Sequence, residues 1–428
     1  MTDTIFALAT ARGKAGIAVV RVSGPLALEA AAALGISGLT ARQAALRTLI
    51  ADGEILDSGV MLYFEDGASF TGEKIIEFQI HGGEAVVAAL LRFLGSVPGL
   101  RLAEPGEFTR RALENGMLDL TQVEALADLI DAETEAQRRQ AQKVLSGAIG
   151  RRAAEWRKDL IRAAALIEAT IDFADEEIPE NVIPEVRDIV ARLSTEFRAE
   201  VDDSRSAERV RAGFEVAIIG APNVGKSSLL NALVGRDAAI TSSVAGTTRD
   251  VIEVRMEIAG LPVTLIDTAG LRETEDVVER IGVARAKERA GLADLRVLLL
   301  EPGSTPDSWE IEDDDVVAWS KADLFPVANG VSAVSGYGLQ WLINEIKVRL
   351  EQRVSGSGLL IRDRQRSALR LASESMASAR GWLYTDEVSL ELVAADLRAA
   401  SHALDLLVGK IGVERLLDEI FSSFCIGK

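Results

Sequence analysis

The stretch GAPNVGKSS, Gly220 to Ser228, directly follows the apolar run FEVAIIG. It fits G-x-x-x-x-G-K-[ST], with Gly220, Gly225, Lys226 and Ser227 at the fixed positions. A loop of this kind turns the backbone N–H groups of Asn223, Val224, Gly225, Lys226, Ser227 and Ser228 toward phosphate oxygens at a helix N-terminus. The lysine reaches the β and γ oxygens, and the serine hydroxyl ligates Mg2+. Two further motifs follow in order. TTRD places Thr247 and Thr248 where a switch threonine closes over the metal when a γ-phosphate is present, a role assigned to Thr248. DTAG, at the end of VTLID, sets Asp267 near the metal shell and lets the Gly270 N–H sense the γ-phosphate. Lys226, Thr248 and Gly270 are therefore candidate catalytic groups. In SKAD, the Asp323 carboxylate accepts from guanine N1–H and its amino group, while the Lys321 stem packs along the base. Ser332 and Ala333 in VSAVSG match a loop whose backbone donates to guanine O6.

Two positions depart from the usual pattern. The residue expected to be asparagine before K-x-D is Ser320, which lacks an amide for guanine N7 and for bracing the phosphate loop. Weaker guanine-nucleotide binding is expected, with guanine preference kept by Asp323. Just after DTAG stands Leu271, an apolar side chain where related enzymes carry a water-orienting glutamine. Another group must position the nucleophile.

The elements that must hold these residues read as alternating strands and helices from Phe214 to about Leu350. FEVAIIG, VTLID, LRVLLLE and DVVAWSKAD are expected to be buried parallel strands. The flanks differ. Residues 1–116 mix strand-like runs (GIAVVRVSG, EKIIEFQIHGG) with short helices and Gly/Pro punctuation, as in a compact α+β domain. From 117 to 211 the chain is rich in Ala, Glu and Arg, and Trp156, Leu160, Ala164, Ile167 and Ile171 recur at helical spacing. FADEEIPENVIP breaks this texture into two or more helices. Helices return over 351–428, in segments Arg362–Gly381, Ser389–Leu407 and Val413–Phe421. The expected architecture is multidomain, α/β and α: an N-terminal α+β domain (1–116), a helical bundle (117–211 and 351–428), and an α/β nucleotide-binding domain inserted at 212–350.

Composition narrows the partners. The 428 residues include one cysteine, Cys425, and two histidines, His81 and His402. That excludes an internal disulfide and gives no zinc cluster or Ser-His-Asp triad. The N-terminus has no basic secretory signature and no apolar run nears the ~20 residues that span a bilayer; a cytoplasmic, membrane-free protein is expected. The net charge of −19 argues against whole-surface adhesion to nucleic acid. One local basic stretch remains, with Arg138, Arg139, Lys143, Arg151, Arg152, Arg157 and Lys158, and a solvated helical face is the favoured reading of it.

The chain resembles the tRNA-modification GTPases of the MnmE (TrmE) family over essentially its whole length. The resemblance rests on DTIFALAT, GIAVVRVSG, IIEFQIHGG, PGEFTRRA, LDLTQVEALADLI, the GTPase motifs and the terminal CIGK. It implies a folate-binding-like N-terminal domain that dimerises and a P-loop, Ras-like G domain inserted in a helical domain. It also implies a flavoprotein partner, MnmG, with which an aminomethyl-type group is installed on C5 of the wobble uridine of certain tRNAs. Glu279 in VERIG becomes the implied group acting on the attacking water, although by itself it is one acid on a charged helix. K+ is implied between the β and γ phosphates, held by Asn223, Ser242, the Val244 carbonyl and Thr247, where a cation does the work of an arginine finger. Arg249 is better read as a surface ion pair. Arg21 and Glu77 are implied to bind 5-formyl- or methylene-tetrahydrofolate with Lys428, and Met117 stands where relatives commonly carry a lysine. Cys425 reads either as a small buried hydrophobe or, through the family, as a thiol nucleophile toward uracil. Two other classes stay open: a ribosome-assembly or regulatory GTPase switch, against which no KH-like GXXG loop follows the G domain, and a folate-dependent aminomethyltransferase regulated by GTP.

Overall fold

The computed structural model describes residues 3–172, 182–221, 223–234, 252–267, 288, 290–305, 310–354, 358–385, 388–411, 417, 420, 421, 424 and 427. They form two compact units, one of residues 1–127 with 405–428 and one of residues 128–404.

The first unit is built on a six-stranded sheet in the order β3-β4-β5-β2-β1-β6. Its strands are β1 (Thr4–Leu8), β2 (Ala15–Ser23), β3 (Ala45–Ala51), β4 (Glu54–Phe64), β5 (Ile75–Gly82) and β6 (Leu100–Leu102). All neighbours are antiparallel except β1 and β6. Side chains alternate across each strand, so Ala18, Val20 and Val22 of β2 and Ile76, Phe78 and Ile80 of β5 enter one core. Helices α1 (Ala27–Ala33) and α2 (Glu84–Ser96) cover that face through Ala27, Ala30, Leu90 and Leu94. β1 is buried on both sides: Phe6 joins this core, while Ile5 and Ala7 pack on Phe108 of α3 (Glu107–Glu114). Only the alternation of β2 and β5 was legible in the sequence; β1 reads as a continuous apolar run because neither of its faces meets water. α4 (Leu120–Ile130) follows α3. Val123 packs with Phe421 and Phe424 of the C-terminal segment. At the very end, Gly427 has φ 104, and a Cβ there would fall 2.0 Å from Leu8 O. Glycine is required for the tail to lie this close to β1.

The second unit holds helices on either side of an α/β domain in the chain. α5 (Glu135–Leu145), α6 (Ala148–Asp172) and α7 (Val182–Ala212) precede it; α10 (Asp363–Leu383) and α11 (Leu390–Val408) follow. The buried line of α6 runs Ile149, Ala153, Trp156, Leu160, Ala163, Ile167, so Ala163 lies in it where the spacing suggested Ala164. Pro184 sits in the first turn of α7, where its missing N–H breaks no helical bond. The helices from the two sides of the α/β domain pack together. Arg187 of α7 donates Nε (3.0 Å) and Nη2 (2.6 Å) to Leu383 O, and Arg366 of α10 pairs with Glu208 of α7 at 2.7 Å.

The interposed α/β domain has a five-stranded sheet, β11-β10-β7-β9-β8. Its strands are β7 (Phe214–Gly220), β8 (Ile252–Ile258), β9 (Leu261–Asp267), β10 (Leu295–Leu300) and β11 (Val316–Trp319), with helices α8 (Lys226–Val234) and α9 (Leu339–Arg353). Four strands are parallel; β8 runs antiparallel to β9 at the edge. The sequence reading did not single out β8. Its charged residues Glu253, Arg255 and Glu257 alternate with the apolar ones, the pattern of a half-exposed edge strand.

Candidate functional site

β7, β9, β10 and β11 end on the same edge, the place where parallel α/β sheets bind ligands. Gly220 closes β7 with φ 149, and a Cβ there would lie 2.3 Å from Leu299 O of β10. Any side chain would push the loop off the sheet, so the first motif glycine is fixed by strand spacing. Asn223 takes φ 62 and Gly225 φ 105, a left-handed course that asparagine and glycine tolerate best. α8 then begins at Lys226, leaving its first N–H groups without helical acceptors.

Lys226 is 4 % exposed, and its Nζ donates to Gly220 O at 2.9 Å and Ala221 O at 2.8 Å. Burial lowers the pKa of this ammonium, and the Asp267 carboxylate opposes that shift. Asp267 is 2 % exposed at the end of β9, brought beside β7 by the register Ile218↔Asp267. Ser227 Oγ donates to Asp267 Oδ2 at 2.5 Å. A hydroxyl and a carboxylate form an oxygen-only donor pair that suits Mg2+ better than softer metals. Among the described residues no group of three or more His, Cys, Asp or Glu side chains gathers to hold an ion. Val224 is buried in the core under the loop, and Asn223 and Ser228 are exposed.

The residues expected to read the base follow β11. Ser320 N donates to Leu300 O at 2.7 Å, while its Oγ is buried without a hydrogen-bond partner. Lys321 has φ 55, and its Nζ pairs with Glu301 at the end of β10. Asp323 is exposed. Val331 N donates to Trp319 O at 2.7 Å and Ala322 N to Val331 O at 3.2 Å. These bonds bring the loop carrying Ser332 and Ala333 beside Asp323. Ser332 is 1 % exposed, with its Oγ accepting from Ser335 N at 3.1 Å.

In the first unit, Arg21 and Glu77 face each other across β2 and β5. Arg21 Nη2 lies 2.9 Å from Glu77 Oε1, and the guanidinium stands 5.6 Å from the Phe70 ring centroid and 5.7 Å from that of Phe108. Met117 is 38 % exposed and packs on Gly72, in the loop that carries Phe70. Ser242, Val244, Thr247, Thr248, Arg249, Gly270, Leu271, Glu279, Cys425 and Lys428 lie outside the described residues.

Sequence reasoning missed two arrangements. One is the Glu301 partner of Lys321. The other is a hub at Arg111, 1 % exposed, which donates to Glu73 at 3.1 Å, Asp3 at 3.0 Å and Glu107 at 2.9 Å. The signal for the second was present in PGEFTRRA, where Glu107 and Arg111 stand at i,i+4. The basic stretch singled out earlier is partly neutralised: Arg138 and Arg139 both pair with Glu135, and Arg152 with Glu155 and Glu196. Among the described residues no helix is long and apolar enough to cross a membrane.

The family model of the MnmE helical domain matches residues 120–425, and that of the GTP-binding protein TrmE N-terminus matches residues 4–117. The tRNA modification GTPase MnmE of Cereibacter sphaeroides (strain ATCC 17025 / ATH 2.4.3) is 58% identical over 427 residues, covering 100% of both chains. That of Dinoroseobacter shibae (strain DSM 16493 / NCIMB 14021 / DFL 12) is 52% identical over 429 residues, again covering 100% of both. A crystal structure of Aquifex aeolicus Era Y63A bound to GDP·AlF4− aligns over 38% of this chain and 67% of its own at 27% identity. Its TM-score of 0.27 is too low for a fold to be read from it. Two matching family models and full-length identity above one half leave one assignment: this chain belongs to the tRNA modification GTPase MnmE family.

Proposed function

We propose that the protein hydrolyses GTP in a Mg2+ site made by Ser227 and, on the switch loop, Thr248, and that the cycle serves modification of C5 of the wobble uridine in certain tRNAs with the flavoprotein MnmG. The observation that carries the GTP reading is the meeting of Lys226, Ser227 and Asp267 at the strand edge from which the chain of Asp323 also leaves. Asn223, Val224, Gly225, Lys226, Ser227 and Ser228 wrap the phosphates, and Lys226 carries a positive charge to the β and γ oxygens. Asp267 holds the Ser227 hydroxyl in place. Mg2+, when bound, neutralises charge between the phosphates. Asp323, Lys321, Ser332 and Ala333 read guanine, with Ser320 beneath them. Gly270 and Thr248 sense the γ-phosphate and Glu279 orients water. Asn223, Ser242, the Val244 carbonyl and Thr247 would hold K+, which would supply the charge of an arginine finger.

The domain boundaries proposed are 1–116, 117–211 with 351–428, and 212–350. The first binds 5-formyl- or methylene-tetrahydrofolate through Arg21 and Glu77, with Met117 and Lys428 at its margin. The part-buried pair beside Phe70 and Phe108 supports this, because a flat heterocycle needs both polar partners and aromatic walls. Glu77 would accept from the pterin donors. The same unit pairs two copies of the chain; Leu46 (72 % exposed) and Ile55 (73 % exposed) on β3 and β4 supply apolar surface for it. Cys425 is kept as a candidate nucleophile, and the setting is cytoplasmic. The experiment is hydrolysis in K+ against Na+, paired with mass analysis of tRNA nucleosides from cells lacking the gene. A K+-dependent rate and loss of the wobble modification are expected; equal rates in both salts contradict the K+ site, and unchanged nucleosides contradict the tRNA role.

A further inference from the structure

β8 and β9 are paired without a break from Ile252↔Asp267 to Ile258↔Leu261, so the hairpin moves as one ribbon. At its tip, Gly260 O accepts from Ala136 N at 3.2 Å. Ala136 lies in the first turn of α5, where a backbone N–H has no acceptor inside the helix. The next residue extends the connection: Gln137 Nε2 donates to Arg211 O at 2.9 Å, and Arg211 Nε donates to Ile361 O at 2.9 Å. One helical turn thus links the hairpin tip to the end of α7 and to the segment entering α10. The far end of the ribbon is Asp267, which accepts from Ser227 Oγ. At about 3.3 Å per residue, β9 spans roughly 20 Å between the two.

A cavity of about 650 Å³ lies beside this contact, bordered by Asp131, Glu133, Arg255, Met256 and Thr264. Met256, Ile258, Leu261 and Val263 of the ribbon belong to the buried core of the α/β domain and Ala136 packs against it, so a shift of the ribbon is shared with that core and with the first turn of α5. A divalent cation at Ser227 attracts the Asp267 carboxylate, and β9 is the strand that pull acts on.

We propose that the Ala136–Gly260 contact is a mechanical relay, by which the state of the metal edge reaches the helices through the first turn of α5. Ala136→Pro deletes the single N–H involved at a position where proline is tolerated. Gln137→Glu keeps the oxygen that accepts from Thr134 N and removes the donor to Arg211, so it tests the second link if the proline variant does not fold. In the full-length protein, GTP affinity and hydrolysis without tRNA are expected to stay within about twofold of wild type. Modified wobble nucleoside in cells carrying either variant as sole copy is expected to drop at least about tenfold. The protection that a GTP analogue confers on amides of α7 and α10 in hydrogen exchange should disappear. Wild-type modification together with wild-type exchange response would overturn the relay. So would a parallel loss of GTP affinity, because the contact would then only hold the nucleotide-binding domain together.

Discussion

Lys226 shows how a residue proposed to hold phosphate can be unfavourable for stability. Its ammonium is buried among carbonyls of its own loop, with its pKa lowered by burial. For a group whose folded pKa is depressed, the stabilising contribution exists above the unfolded pKa and is lost as pH falls through the folded value. Keeping this lysine protonated therefore costs stability, a cost relieved by an anionic ligand. Lys226→Ala should lower GTP hydrolysis by about 10²-fold or more while raising the melting temperature measured without nucleotide. A fall in that temperature would contradict the account. Ser320 gives a second test, since its hydroxyl is buried with no partner. Ser320→Asn supplies the missing amide and should tighten GTP binding by about 1 kcal/mol, roughly fivefold; unchanged affinity by titration would refute it. The phosphate loop was legible in the sequence because its donors are contiguous. The isolation of the Ser320 hydroxyl was not, because it depends on what β10 and β11 bring around it.

At the scale of elements, the hub at Arg111 joins α3 to the loop before β5 and to the chain start. Burial alone would raise the Glu107 carboxyl, but hydrogen bonds from Arg101, Glu104 N–H and Arg111 outweigh it and hold the pKa below the usual 4.5. The stability this supplies is present above pH 4.5 and is lost as the pH falls through the folded value. The difference in unfolding free energy between wild type and Glu107→Gln should therefore be largest near neutral pH and shrink on acidification; a pH-independent difference would show the charge to be irrelevant. Arg111→Ala removes the arginine shared by Asp3, Glu73 and Glu107, leaving Arg101 on Glu107 and Ser23 on Glu73, and should destabilise the protein by about 3 kcal/mol in urea unfolding. Strands with one wet face, β2 and β5, were legible from alternation. β1, buried on both faces, and β8, charged along its edge, were not, because pairing partners decide their class.

For the whole molecule, the texture change at both ends of the α/β domain was enough to suggest one helical body interrupted by an insertion. Which helices touch was beyond it: the bonds of Arg187 to Leu383 O and of Arg366 to Glu208 join residues far apart in the chain. Matching apolar faces say that a helix is covered, not by what. The family assignment fixes tRNA modification and GTP hydrolysis together, and the account joins them through the strand edge of β7 and β9. The most direct test is equilibrium titration, in excess Mg2+ and K+, with fluorescent GTP and ATP analogues on wild type, Asp323→Ala and Lys226→Ala. The wild type should bind the guanine analogue at least about 10²-fold more tightly than the adenine one, Asp323→Ala should erase that ratio, and Lys226→Ala should weaken both. Equal binding of the two analogues by the wild type, or a ratio untouched by loss of Asp323, would contradict it.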